Sequence, residues 1–409
     1  MAATTAAPVD SAVVKGEIFP TLAFASSCQN NGMSAKAFFL LVSLLTATVA
    51  AQQRLVLIDQ DGSGPGGSNQ MAMMALLEAP NVKVLGITIV TGNAWRDENT
   101  LHTLRMLELT GHADVPVALG AVFPLVRSEE ETSLAVPLYG QVIWLGAWGH
   151  VTANGDAKNT AQAGTPAQLP HHGPYEIPAM PEGAPAIKPI DEDAAHFLIR
   201  QVRAHPHEVT IYAAGPLTNI ALAISIDPQF AALTKGIVLM GGSLNPQTND
   251  PEFATNPRHE FNFWFDPEAA HIVLHAAWPR IDLTTVDVSI KAMFTEKMLK
   301  EISAAHTPAA EYIAAWSQDR YYMWDELAAC AWLDPSLITE EMQLYLDVDI
   351  NHGPTYGDTL TWTENLKPAT GVRLVHAQVD LDLAKFQALF VGLMAHRNDN
   401  FQIQNGGVR

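Results

Sequence analysis

The sequence has little cysteine and little positive charge. Its 409 residues include two cysteines, Cys28 and Cys330, which are too few for a disulfide framework or a cysteine-based zinc site. There are 23 Lys and Arg against 43 Asp and Glu, a formal net charge of −20 at pH 7. A surface of that sign repels phosphate backbones and anionic lipids. The composition therefore argues against nucleic acids and membrane surfaces as partners, and a chain of this length needs no disulfide to fold.

The first 51 residues are predicted to lie outside the folded domain. Residues 1–32 are rich in Ala, Thr and Ser without periodicity, which is typical of disorder. Lys36 then precedes an apolar run over 37–51, and small residues stand just before Gln52. At ~15 residues the run is short for a membrane span and resembles a secretory signal peptide, with an ordinary buried helix as the alternative. We therefore expect a signal peptide over 33–51 and a secreted or periplasmic protein with no membrane attachment after cleavage.

From Arg54 onward, short β-branched apolar runs alternate with longer amphipathic ones. Predicted strands cover 55–58, 82–90, 115–119, 208–214 and 236–240, and predicted helices cover 69–77, 97–110 and 217–226. Near-continuous apolar strands separated by helices indicate an α/β fold with an open, mostly parallel sheet and helices on both faces. The stretch 127–190 has little periodicity, so it is either a functional lid or a small insertion. No linker interrupts 52–409, which is predicted to be a single domain.

Polar side chains follow the predicted strands at the points where the strands end. They include Asp59, Gln60, Asp61, Asn93, Thr218, Asn219, Glu260, Asn262 and Asp325. In open parallel sheets, ligands bind outside the carboxyl ends of the strands, so we expect these side chains to share one rim. Lys and Arg are almost absent from it. Carboxylate and amide oxygens suit a hard cation such as Ca²⁺ and a neutral polyol such as ribose.

The glycine-rich segment 62–68 invites comparison with a phosphate-binding loop. It contains no Lys followed by Ser or Thr, and two acids precede it, so a Walker loop or a dinucleotide-binding fingerprint is disfavoured. A plain strand-to-helix turn stays open as the simpler interpretation.

Three blocks of sequence, in this order, resemble the inosine–uridine-preferring nucleoside hydrolase family. They are IYAAGPLTN at 211–219, IVLMGG at 237–242 and EFNFWFDPEAA at 260–270, with further agreement at 88–93, at 117–125 and around Asp325. The resemblance runs from about Arg54 to the 380s. It implies an open α/β sheet, a tightly held Ca²⁺, a homo-oligomer, and hydrolysis of the N-glycosidic bond of nucleosides to ribose and free base.

The resemblance also implies a role for each residue of the motifs. Asp61 would bind Ca²⁺ and act as general base toward the attacking water, with further ligands from the Asp325 carboxylate and the Thr218 backbone carbonyl. Such a cation lowers the pKa of water, and carboxylates around the sugar stabilise an oxocarbenium-like transition state. The residues that would hold the ribose hydroxyls are Asn93, Asn256, Glu260 and Asn262.

The first departure from the family pattern lies in the loop after the first strand. The family's first motif, Asp-x-Asp-Pro-Gly-x-Asp-Asp, ends in an acidic pair, and here a longer loop brings Ser68 and Asn69 to that place. Asn69 can offer Ca²⁺ an amide oxygen, but one negative charge is lost, so we expect weaker affinity. The alternative function is therefore a degenerate member that binds ribosides or another glycosyl compound with little turnover.

The second departure is Trp324, which stands where many members have a His able to protonate the leaving base. An indole is not an acid, but it stacks on nucleobases, which would favour purine nucleosides. Leaving-group activation would then come from stacking, from water, or from His259 or His150. Glu326, like His171 and His172, has no assigned role and is expected at the surface or in a loop.

Overall fold

The computed structural model describes residues 53–140, 142–149 and 172–395. The predicted signal peptide and His150 lie outside these ranges. The described strands form one nine-stranded sheet in the order β3-β2-β1-β4-β5-β6-β9-β7-β8. Their bounds are β1 (Arg54–Gln60), β2 (Val82–Ile89), β3 (Val117–Leu119), β4 (Val209–Ala214), β5 (Gly236–Met240), β6 (Ile281–Thr284), β7 (Ile338–Val348), β8 (Thr359–Trp362) and β9 (Arg373–Leu381).

The sheet is mostly parallel. Neighbouring strands from β3 to β9 pair in parallel, whereas β7 pairs antiparallel with both β9 and β8. The helices of the described residues are α1 (Ser68–Leu77), α2 (Arg96–Thr110), α3 (Glu129–Tyr139), α4 (Ala194–Ala204), α5 (Thr218–Ile226), α6 (Pro251–Thr255), α7 (Phe261–Phe265), α8 (Pro267–His275), α9 (Val286–Ser289), α10 (Glu296–Ser303), α11 (Pro308–Trp316), α12 (Trp324–Leu333) and α13 (Leu383–Met394). Across the described chain, none of them combines the length and apolar content required to cross a membrane.

Apolar side chains are buried on both faces of the sheet, as expected for parallel strands covered by helices. Val56 and Ile58 of β1 belong to the cluster that contains α1, α12 and α13. Leu57, which lies between them, belongs to the opposite cluster with α4, α5 and α8. Successive side chains of a strand point to opposite faces, so the run Val56–Ile58 is apolar because each face is a core. The predicted fold class is confirmed.

Two predicted segments differ from the structure. The third strand begins at Val117 instead of Val115, because the Val115 amide donates to the His112 carbonyl (3.0 Å) in a turn before the strand. In the stretch 127–190, the described part contains helix α3, which begins where the Ser128 hydroxyl accepts a hydrogen bond from the Glu131 amide (3.1 Å). Its buried face is small, which is why hydrophobic periodicity did not reveal it.

Candidate active site

Asp61 lies directly after β1 and contacts the segments that follow β1, β2 and β4. Its buried carboxylate accepts hydrogen bonds from the Asn93 backbone amide (2.8 Å), the Asn69 side-chain amide (2.8 Å) and the Asn93 side-chain amide (3.3 Å). A Cβ at Gly92 would overlap this carboxylate, and one at Gly215 would lie 2.9 Å from the Asp61 Cβ. The ends of β1, β2 and β4 therefore converge on Asp61, as the sequence predicted.

Asp325 joins the same cluster from the first turn of α12. Gln60 Nε2 approaches its Oδ2 at 3.4 Å, its backbone amide donates to the Ser68 hydroxyl (3.0 Å), and Tyr212 donates to its carbonyl oxygen (2.8 Å). The structure thus brings together the two acids that were predicted to share a cation. We use "acidic cluster" below for Asp61, Glu260, Asp325 and Glu326.

The acidic cluster is buried and has no basic partner among the described residues. Burial raises the pKa of Asp61 and of Glu260 to about 7 and that of Glu326 to about 8. Burial, reinforced by the nearby Asp61 carboxylate, raises the pKa of Asp325 well above its usual range. Grouped buried carboxylates are costly in the charged form, and a bound cation offsets that cost.

The donor set fits a hard cation in part. Asp61 and Asp325 offer carboxylate oxygens, the ligands that Ca²⁺ prefers. Asn69 turns its amide nitrogen toward Asp61 and toward Gln60 Oε1 (2.9 Å), while its Oδ1 accepts from Asn93 (3.3 Å). Asn69 would therefore have to rotate its amide to become a ligand, whereas an Asp in its place would not.

Thr218 is the first residue of α5, and its hydroxyl donates to Asp266 Oδ2 (2.6 Å). The backbone of this segment that lies against Asp61 belongs to Gly215. The predicted ligand role of the Thr218 carbonyl stays a prediction, and the end of β4, Ala214–Gly215, is the alternative source of a backbone ligand.

Glu260 is the N-cap of α7. Its carboxylate accepts hydrogen bonds from the backbone amides of Asn262 (2.8 Å), Phe263 (3.1 Å) and Gly242 (3.0 Å). Asn262 donates its side-chain amide to the Met240 carbonyl at the end of β5 (3.0 Å). Both residues are buried and fixed to the rim, so their structural roles are clear. Their predicted contacts with ribose stay predictions.

Asn256 lines a cavity that the residues of the acidic cluster do not line. Its side chain donates to Asp358 Oδ1 (2.9 Å), and it lines a cavity of about 420 Å³ between α3 and the α6–α7 segment. None of Asp61, Glu260, Asn262 or Asp325 lines this cavity. His259 also lines it, and burial, together with the Arg127 charge, lowers the His259 pKa to about 4. A histidine held neutral in this way is a poor proton donor, which disfavours it as the leaving-group acid.

Trp324 opens α12 and is half-buried. Its indole makes edge-to-face contacts with Phe253, at a centroid distance of 5.9 Å, and with Tyr322, at 5.1 Å. The residue next to it, Asp325, belongs to the acidic cluster. The predicted contact of Trp324 with the base stays a prediction, and its aromatic neighbours give it a packing role.

One acid of the site was missed from the sequence, and the contact of one tryptophan with the site was not predicted. Glu326 was expected at the surface, but it is fully buried and bonded to the Ser68 hydroxyl (2.5 Å) and the Tyr321 hydroxyl (2.9 Å). Trp144, from the irregular segment 142–149, donates to Asn93 Oδ1 (2.8 Å). The position of Glu326 next to Asp325 could have indicated that it belongs to the site. No local sequence pattern indicates the contact between Trp144 and Asn93.

Asp59 connects the segments on either side of β1 through hydrogen bonds. Its buried Oδ2 accepts hydrogen bonds from the Thr88 hydroxyl on β2 (2.5 Å) and from the Asn219 side-chain amide on α5 (2.8 Å). Asn219 in turn accepts from the Ala121 amide (2.8 Å). The Asp59 carboxylate thus holds the β2 and β4 ends in place around Asp61.

Comparison with known proteins agrees with this fold. The sequence model of the inosine-uridine preferring nucleoside hydrolase family matches residues 56–388. Probable uridine nucleosidase 1 of Oryza sativa subsp. japonica is 30% identical over 263 residues, 64% of this chain and 68% of that protein. The chain therefore belongs to the inosine-uridine preferring nucleoside hydrolase family and is a hydrolase that acts on nucleosides.

Solved structures of nucleoside hydrolases share the fold of this chain. A plant nucleoside hydrolase superposes with a TM-score of 0.60 at 26% identity, covering 84% of this chain and 99% of that one. A purine-preferring ribonucleoside hydrolase from Gardnerella vaginalis shares the fold, with a TM-score of 0.63 at 23% identity over 84% of this chain and 98% of that one. The family and the enzyme class inferred from the sequence are confirmed.

Proposed function

We propose that the acidic cluster hydrolyses the N-glycosidic bond of ribonucleosides to ribose and free base, with Asp61 as general base. The observation that carries this proposal is the convergence of Asp61, Asp325 and Glu260 as buried carboxylates without basic partners among the described residues. Its relatives include uridine nucleosidases and ribonucleoside hydrolases, which supports the same reaction class.

We further propose that a divalent, oxygen-preferring cation, Ca²⁺, is held partly by Asp61 and Asp325. When bound, such an ion lowers the pKa of water and so supplies a nucleophile near neutral pH. Asp61 accepts the proton of the attacking water, and its position is fixed by Asn93 and Asn69. The reaction leaves ribose, which takes the hydroxyl, and the free base, which takes the proton.

Other residues of the rim would act on the sugar and the base. When ionised, the Glu260 and Asp325 carboxylates would place negative charge next to Asp61 and so stabilise the positive charge of an oxocarbenium-like transition state. Asn93 and Asn262 present polar groups for the ribose hydroxyls, and Trp324 presents an aromatic surface for the base. A role for Asn256 requires the substrate to extend into the adjacent 420 Å³ cavity.

One observation favours the alternative of a riboside-binding protein with little turnover. Ser68 and Asn69 replace the acidic pair of the family motif, and Asn69 is bonded to Asp61 through its nitrogen. A site with fewer charges holds a hard cation more weakly. The two proposals agree on riboside binding and differ in cation dependence and turnover.

Release of free base from inosine and uridine, measured by chromatography with and without chelator, tests the proposal. We expect turnover in the wild type, loss on chelation, recovery with Ca²⁺, and a ~100-fold or greater loss of kcat in Asp61→Asn. Asp193→Asn is the matched control, because Asp193 is an exposed helix cap. Asp61→Asn with wild-type kcat would refute the general-base role. Calorimetric binding of ribosides without base release in the wild type would establish the alternative.

Secretion and assembly are separate proposals. The sequence pattern over 33–51 supports secretion to the exterior or the periplasm, and the family resemblance supports a homo-oligomer. N-terminal sequencing of protein from the natural source tests the first, with a mature start at Ala2 as the contradicting result. Light scattering of the purified enzyme tests the second.

A further inference from the structure

Two histidines and an aspartate face one another outside the acidic cluster. His271 and His275 are at positions i and i+4 of α8, so they lie on the same helix face, and their ring centroids are 4.0 Å apart. Asp347 on β7 contacts both rings, with Oδ1 2.7 Å from His271 Nδ1 and Oδ2 2.9 Å from His275 Nε2. One carboxylate is thus shared by two imidazoles.

The positions of these atoms suit a metal ion. One potential ligand atom from each residue lies within 4.8 Å of the others, and among the described residues no other group of three His, Cys, Asp or Glu side chains meets this criterion. Tetrahedral Zn²⁺ with bonds of ~2.0–2.2 Å holds neighbouring ligand atoms ~3.3 Å apart. The imidazole nitrogens would need to withdraw from the carboxylate by roughly half an ångström, a small rotation for partly exposed side chains.

The electrostatic surroundings also favour a cation. His275 is the final residue of α8 and lies in its last turn, where the partial charge of the helix end is negative. The neighbouring Arg373 donates to the His275 backbone carbonyl (3.1 Å), not to an imidazole or to Asp347. Within the described residues, Asp347 contacts these two histidines and pairs with no Lys or Arg.

We propose that His271, His275 and Asp347 form a site for one borderline transition-metal dication, with Zn²⁺ as its representative. Imidazole and carboxylate together suit this class better than they suit Ca²⁺. Three protein ligands leave the fourth position to water, since all three side chains retain some exposure. Bound metal links helix α8 to strand β7 and stabilises this edge of the fold. The site shares no residue with the acidic cluster.

Metal content distinguishes this site from the acidic cluster. Tag-free protein is stripped with chelator, incubated with Zn²⁺ and desalted, and the bound metal is measured by mass spectrometry. We expect His271→Ala and His275→Ala each to lose one equivalent relative to wild type. Asp61→Asn, which alters the acidic cluster, should keep it. His196→Ala should also keep it and serves as the matched control, because His196 pairs with the single carboxylate of Asp193 (2.7 Å).

A second measurement covers variants that fold poorly. Zn²⁺ should raise the thermal unfolding temperature of wild type, and should raise it less or not at all in Asp347→Asn, which keeps the side-chain shape and one oxygen acceptor. Co²⁺ added to wild type should give visible absorption bands that are lost in His275→Ala. Wild type that retains no Zn²⁺, or histidine variants that retain as much as wild type, would overturn the proposal.

Discussion

Trp144 donates its indole proton to Asn93 Oδ1 over 2.8 Å, and this contact sets the direction of the Asn93 amide. An indole nitrogen can only donate, so Asn93 must present its oxygen to Trp144. The Asn93 nitrogen then faces Asp61 Oδ1 and Asn69 Oδ1, both at 3.3 Å. A residue of the irregular segment 142–149 thereby orients a group that contacts the proposed general base.

Trp144→Phe keeps an aromatic ring but removes the donor. We expect kcat/KM for nucleosides to fall by about 1–2 kcal/mol, because the Asn93 amide becomes free to turn over. Trp278→Phe is the control, since it removes one indole hydrogen bond to a backbone carbonyl (2.8 Å, to Val273) away from the rim residues. Equal losses in the two variants would mean that the effect is one of stability and not of orientation.

Asn69→Asp restores an acid at the place where the family motif has one. Without a cation, the new carboxylate repels Asp61. The substitution also removes the hydrogen bonds that the Asn69 amide donates to Asp61 and Gln60, so the unfolding temperature should fall. With Ca²⁺, the extra charge should tighten binding, and calorimetry should show a lower Kd than for wild type. A Ca²⁺ affinity equal to that of wild type would place the cation away from Asn69.

Trp324→Ala tests whether the indole stacks on the base. If it does, wild type prefers inosine to uridine, and the variant loses this preference at a cost of ~1–3 kcal/mol in kcat/KM for inosine. Trp332→Ala, at the other end of the same helix, controls for the loss of an indole; Trp332 packs under the Arg54 guanidinium (3.7 Å). Equal fold-losses for inosine and uridine in Trp324→Ala would show that Trp324 only packs against Phe253 and Tyr322.

Glu252 gives the stability of the protein a defined pH dependence. Burial raises its pKa from 4.5 to about 8. The unfolded chain loses the Glu252 proton above about pH 4.5, whereas the folded protein keeps it until about pH 8, so its contribution to stability decreases across this interval. Glu252→Gln should remove that decrease. Between pH 4.5 and pH 8, the free energy of unfolding should therefore fall by ~2–4 kcal/mol less in the variant than in wild type. Urea titrations at the two pH values measure this, and an unchanged pH slope would contradict it.

The sequence alone determined the strands β1 to β5 and the rim at their ends, whereas β6 to β9 were not predicted from it. Val56–Ile58 is apolar at every position, which predicts a strand buried on both faces. In the structure, Val56 and Ile58 lie in one core cluster and Leu57 lies in the opposite one. The segment Gly215–Asn219 follows a strand and opens a helix, so its place at the rim followed from local pattern. Strand ends are predictable because parallel topology brings them to one edge whatever the side chains are.

Tertiary structure decided which polar groups meet at that edge. Glu326 has the same local pattern as a solvated residue in the first turn of a helix. In the structure it is buried and accepts hydrogen bonds from Tyr321, which is near in sequence, and from Ser68, which is distant. The hydrogen bond from the Gly242 amide to Glu260 and the association of Asn256 with Asp358 depend likewise on packing between segments. The shared carboxylate of His271, His275 and Asp347 arises because α8 packs on β7, more than seventy residues later in the chain. Hydrogen bonds and pKa values depend on such long-range contacts, because burial and charge are set by whatever packs nearby and not by neighbours in sequence.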